Sequence, residues 1–265
     1  MPGYLLSSST IEITDKVISH CDSVLKHTIT DSTRMAELET LGRLVSSLER
    51  FVRGYVSIDD ESISTDDEIL NWVFTEVPSD FCSAIWLLAS GFYKASASSL
   101  RNALDIATAS LYFQLRENSK TTSGYNIFYA EWDRGDRQTP NWGEMKPYIS
   151  AHPSVARFKL QTGVDPVEVI YNHFKYLCSY THTSAYTPEG DAVTAINMTG
   201  VAPEFDAIYF SRGCDLTRRT VSLIAILWQV AFPSIVGSSP LGPVSAEAYV
   251  SLFPPPIGPL ALQHR

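Results

Sequence analysis

SDFCSAIWLLASGFYKASASSLRNALDIATASLYFQLRE, residues 79–117, is the longest apolar region of the chain and decides its fold class. Leu100, Leu104, Ala107 and Leu111 recur at four, three and four residues, the period of one helical face. The alanine-rich run 95–109 favours helix strongly. A continuous helix over this region would be roughly 58 Å long at about 1.5 Å per residue. Alternatively, Gly91 marks a bend or a break. The small residues Ala95, Ser96, Ala97, Ser98 and Ser99 permit close helix packing, within the molecule or across a dimer.

The same period extends toward the N-terminus. Val17, Ile18, Cys21, Val24 and Leu25 line one face of a helix over 11–29. Asp31 or Ser32 is placed to cap a second helix, whose apolar stripe runs from Leu38 through Leu48 to Tyr55. The acidic segment IDDESISTDDE reads as a loop. Thr65 and Glu68 form a capping-box pattern that opens a helix through about Val77, and Pro78 and Ser79 then start the long apolar region.

Toward the C-terminus, residues 118–165 are punctuated by SKTTSG, DRGDRQTPNWG and AHPSV, the signature of an irregular insert of short helices and loops. Trp132 and Trp142 flank its central loop as packing anchors. Asp165-Pro166-Val167-Glu168 is a strong helix start, and that helix is expected to reach His182 or Thr183. A last long helix covers about 203–232. Residues 233–265 hold seven of the fifteen prolines and read as a loose or wrapping tail, with one short helix near 245–252. No internal repeat and no alternating β pattern occurs. The expectation is an all-α bundle of six to eight helices with a long central helix, one domain over 1–232, and a proline-rich tail.

Composition narrows the function. The chain has 265 residues, 45% hydrophobic and 18% charged, which excludes bulk disorder. Its net charge of −9 excludes a general nucleic-acid coat and leaves room only for a local RNA contact. The four cysteines, at 21, 82, 178 and 214, show no CxxC spacing and suit a reducing, cytoplasmic location. The N-terminus lacks the basic and apolar regions of a secretory signal. The apolar run Val221–Phe232 is twelve residues long and ends at Pro233, so it reads as a core helix and no membrane partner is expected. P-loop, GxGxxG, HExxH and GxSxG patterns are absent, and no cofactor is expected. His20 and His27, seven residues apart, lack a third ligand nearby, so no metal is expected either.

Two clusters carry candidate chemistry. Arg101, Asp105, Thr108 and Tyr112 form a polar stripe beside the apolar one. At its edge Arg101 can clamp a phosphate or carboxylate, or simply pair with Asp105. The second cluster lies in Tyr171–His182, where Tyr171, Lys175, Cys178 and His182 share a helix face and His173 points the other way. His182, at the helix C-terminal end, suits general acid–base work, and Lys175 can hold an anion.

GFYKASASSLRNALDIATASLYF and FKYLCSYTHT, residues 91–113 and 174–183, resemble helices of the HEPN superfamily, whose bacterial members serve in defence and toxin–antitoxin systems. The resemblance, carried by Leu-Arg-x-x-Leu-Asp followed by aromatics and by a Tyr-x-x-Leu-Ser-x-x-x-His-like run, implies an all-α fold and a homodimer. It also implies a metal-independent ribonuclease whose signature is an arginine, four to six residues, then a histidine. His182 matches the histidine, but six intervening residues lead back to Lys175, which keeps the charge and loses the planar grip. In the catalytic reading His182 moves the proton of a ribose 2′-hydroxyl, Arg101 and Lys175 stabilise the phosphate charge, and Asp105 orients Arg101. The missing arginine and the acidic charge favour the other reading, a non-catalytic interaction or regulatory module bound to a protein partner or antitoxin. An enzyme acting on a small molecule in a helical pocket has no specific motif in its support.

Overall fold

The structure, a computed structural model, describes residues 8–58, 68–118, 131–132, 134–136, 138–181 and 205–231. Among them the chain forms helices and no strands, as the periodicity requires. The helices are α1 (Ser8–Thr30), α2 (Ser32–Ile58), α3 (Glu68–Ala89), α4 (Tyr93–Asn118), α5 (Trp142–Ser150), α6 (Pro153–Thr162), α7 (Pro166–Thr181) and α8 (Ala207–Ala231). The acidic loop, the Thr65 cap, His182 and the tail lie outside the described residues.

The long apolar region is two helices. Gly91 takes φ 81°, the left-handed conformation that a glycine adopts without a Cβ penalty. Phe92 N–H donates to Leu87 O at 2.8 Å and Gly91 N–H to Leu88 O at 3.2 Å, the paired bonds of a Schellman stop. The chain then doubles back, so α3 and α4 form an antiparallel hairpin. Ser96 Oγ donates to Ala84 O at 2.8 Å and Asn102 Nδ2 to Asp80 Oδ2 at 2.6 Å, which sets the register.

The boundary expected at Pro78 is corrected. Pro78 lies inside α3, which runs on to Ala89. A proline removes one ladder bond and crowds the preceding turn. Packing of Val77, Phe81, Ala84 and Leu88, all at most 2% exposed, holds the helix through it.

Aspartates open three helices. Asp31 Oδ1 accepts from Thr33 N–H and Arg34 N–H at 3.0 Å each, so Asp31 rather than Ser32 caps α2. Asp165 Oδ1 accepts from Val167 and Glu168 N–H, with Pro166 at the first helical position as expected. Asp206 Oδ1 accepts from Ile208 and Tyr209 N–H, which places the start of α8 at Ala207 rather than 203. Tyr93 OH bridges the same residue: it donates to Asp206 O at 3.1 Å and accepts from Asp206 N–H at 2.8 Å. This ties the first turn of α4 to the start of α8.

The core is the meeting of α4 and α8. Every residue from Ala107 to Leu115 and from Thr220 to Trp228 is buried, so these half-helices are enclosed on all sides. None of the described helices is long and apolar enough to cross a membrane. From the 118–165 stretch, α5 and α6 place Trp142, Met145, Ile149, Val155 and Phe158 in the core.

At Gly213 helix α8 lies against Leu88 of α3. A methyl group there would run into the side chain of Leu88, which is fully buried. Gly213→Ala is expected to destabilise the fold by about 1–3 kcal/mol through overpacking, despite the better helix propensity of alanine. A lowered urea midpoint with unchanged slope is the expected reading.

Candidate functional site

Helices α4, α5 and α7 converge around Arg101. One turn along α4, Asp105 Oδ2 lies 3.6 Å from Arg101 Nη2. Trp142 Nε1 of α5 donates to the other oxygen, Asp105 Oδ1, at 2.8 Å. The Trp142 ring packs on Phe174 and Tyr171 of α7, with centroids 5.0 and 5.4 Å away. The Arg101 guanidinium lies 5.3 Å from the Phe174 centroid and also reaches Cys178.

Burial raises the carboxyl pKa of Asp105, while the Trp142 hydrogen bond and the Arg101 charge act against it. Burial also raises the Cys178 thiol, with Arg101 opposing. A raised thiol is a poorer nucleophile at neutral pH, so this cysteine is not primed for covalent chemistry.

Two lysines flank the Tyr171 ring. Lys146 of α5 pairs with Glu168 and sits 4.7 Å from the Tyr171 centroid. Lys175 is exposed and lies at the same distance from that ring. The structure therefore brings Arg101 and Asp105 against α7, whereas Lys175 is placed on Tyr171. Position 182 follows the last described residue of α7, and the contacts of His182 lie outside the described residues.

The polar stripe expected on α4 is corrected in its second half. Thr108 and Tyr112 are 1% and 2% exposed. The Thr108 hydroxyl is spent within the helix, donating to Leu104 O at 2.7 Å. Tyr112 OH donates to Glu144 of α5 and accepts from Arg116. Burial pushes its phenol up to about 12. Neither side chain is available to a ligand.

Three residues acquire places that spacing alone left open. His173 is buried on the far face of α7, with Nε2 2.9 Å from Thr220 Oγ1. The Thr220 hydroxyl donates to Leu216 O, so it accepts from Nε2–H. Burial, helped by the Arg219 charge, pushes His173 down to about 3, and it stays neutral. His27 packs its ring edge against Phe205 at 5.2 Å. Trp132 Nε1 donates to Thr139 Oγ1 at 3.1 Å, an anchor within the loop it borders. Among the described residues no three of His, Cys, Asp and Glu gather into a metal-binding group.

Comparison of the chain with protein-family models, with curated proteins and with solved structures finds no match in any of the three.

Proposed function

We propose that this chain works as a non-catalytic helical interaction or regulatory module. The observation that carries this reading is the commitment of Arg101 and Asp105. The arginine is held by Asp105 and Phe174, and Asp105 in turn accepts from Trp142. A phosphate clamp needs its guanidinium fork free to form two parallel bonds. Here the guanidinium lies between Asp105 of its own helix and the Phe174 ring of α7, and Asp105 carries the link to α5. Lysine in place of the signature arginine, and a net charge of −9, support the same reading. The HEPN resemblance supports a setting in bacterial defence or toxin–antitoxin systems, with a protein partner.

The second reading, a metal-independent endoribonuclease, is favoured by the contact of Arg101 with Cys178. That contact lies four residues before position 182 on the same helix face. Total cellular RNA incubated with the purified protein in EDTA separates the two. The module leaves the RNA intact, wild type and His182→Ala alike. Fragments with 2′,3′-cyclic phosphate ends, lost in His182→Ala, overturn it in favour of the nuclease.

A further inference from the structure

The outer face of α3 carries Trp86, which is 58% exposed. Cys82 and Ser83, one turn earlier on the same face, are exposed and small. The bond from Ser96 to Ala84 sets the register of the hairpin, which puts exposed Ala95 of α4 level with the tryptophan. These small neighbours leave the indole standing above the surface. Tryptophan is enriched at the residues that dominate binding energy, so a ring placed in this way marks a docking surface.

We propose that Trp86 is covered by the chain's own C-terminal segment, with Pro254, Pro255 and Pro256 packed on the indole ring. Three features select that occupant. The first is chemical. Proline presents an apolar ring on a backbone whose φ is already fixed, so little freedom is lost on docking, and proline runs seat on aromatic side chains. Pro254–Pro256 is the longest proline run in the chain, flanked by Phe253 and Ile257. The second is electrostatic. Residues 233–265 carry only Glu247 and Arg265 as charged side chains, so the segment is neutral and a chain of net charge −9 does not repel it. Exposed Glu76 lies on the same side of α3 and disfavours the acidic residues 59–67 as the occupant. The third is reach. Helix α8 ends at Ala231, and Pro254 follows 23 residues later. At about 3.1 Å per residue that stretch spans up to about 70 Å, whereas α3 is only about 33 Å long. The tether holds the prolines near the ring at an effective concentration on the order of millimolar, which a separate partner at micromolar concentration does not match.

This proposal stands whether or not the chain cleaves RNA, since it concerns a different face. Nuclear magnetic resonance of the full-length chain, labelled with nitrogen-15 in its five tryptophan indoles, tests it. Trp86→Phe identifies the Trp86 signal by its loss. Replacing the run by Pro254→Ser, Pro255→Ser and Pro256→Ser together is expected to shift the Trp86 signal and to leave the other four in place. A synthetic peptide of residues 250–262, added in excess to the serine variant, is expected to return the signal toward its wild-type position. A Trp86 signal that the three serines leave unmoved overturns the proposal. So does a wild-type Trp86 signal that moves on about tenfold dilution, because contact within one chain is independent of concentration and a second copy is then the occupant. A serine variant that shifts the other indoles as strongly as Trp86 overturns the assignment of this ring as the docking point.

Discussion

Trp228→Ala is expected to cost about 3–5 kcal/mol of folding stability, the range for deleting a fully buried large aromatic. Trp228 is 1% exposed and belongs to the stretch of α8 that is enclosed on all sides. Its indole Nε1 donates to Ala107 O of α4 at 3.3 Å, so one side chain both fills and fastens the α4–α8 crossing. The alanine variant leaves a cavity lined by rigid helices that cannot close over it. Domains are stable by about 5–15 kcal/mol, so the variant forfeits a large part of that margin. Trp228→Phe separates the two contributions. It keeps much of the ring volume, loses the N–H donor, and is expected to cost clearly less than the alanine. Urea unfolding followed by circular dichroism measures both, and equal midpoints for the two variants would show that packing volume at this crossing is not what matters.

Stability is expected to fall steeply with acid, and His173 is the reason. Its pKa drops from 6.5 to about 3 on folding. Above pH 6.5 the imidazole is neutral in both states and contributes no pH dependence. Below it the unfolded chain takes up a proton that the folded protein refuses, so stability is lost progressively from pH 6.5 down to about 3. At about 1.36 kcal/mol per unit, the loss from this group is about 2 kcal/mol at pH 5 and about 3 kcal/mol at pH 4. The physical cause is local. The ring is 2% exposed between α7 and α8, and protonation would add a buried charge beside Arg219. His173→Gln offers no ionisable group and is expected to flatten the curve by that amount. The carboxylates titrate alike in both proteins and cancel in the comparison. Parallel stability curves between pH 7.5 and 4 would rule out this role for His173. The consequence reaches the candidate site, because α7 carries Phe174, Lys175 and Cys178 on its other sides.

Several features of the candidate site were readable in advance. Arg101 and Asp105 are four residues apart on one helix, so their pairing follows from helical geometry alone. The opposite directions of His173 and the Tyr171–Lys175–Cys178 face follow equally from 100° per residue. The partners were not readable. Asp105 meets Trp142 across 37 residues, and His173 meets Thr220 across 47. Tyr112 looked like a member of a polar stripe because its neighbours at that spacing are polar. Its burial under α5 comes from a helix that starts 30 residues later.

The sequence by itself determined the helical class, the aspartate cap of α7, a cap for α2 at Asp31 or Ser32, the possibility of a break at Gly91, and the apolar faces. All of these rest on interactions within about one helical turn, whose energies depend on local residue type and spacing. The tertiary structure alone decided that α3 runs through Pro78, that α4 folds back on it, and that α8 lies at the centre with Trp228 on Ala107. It also decided that Arg101, 35% exposed, lies against Phe174 of α7. These outcomes depend on burial between segments up to 121 residues apart. Hydrophobic burial is non-directional, so no local pattern specifies which faces meet until the helices pack.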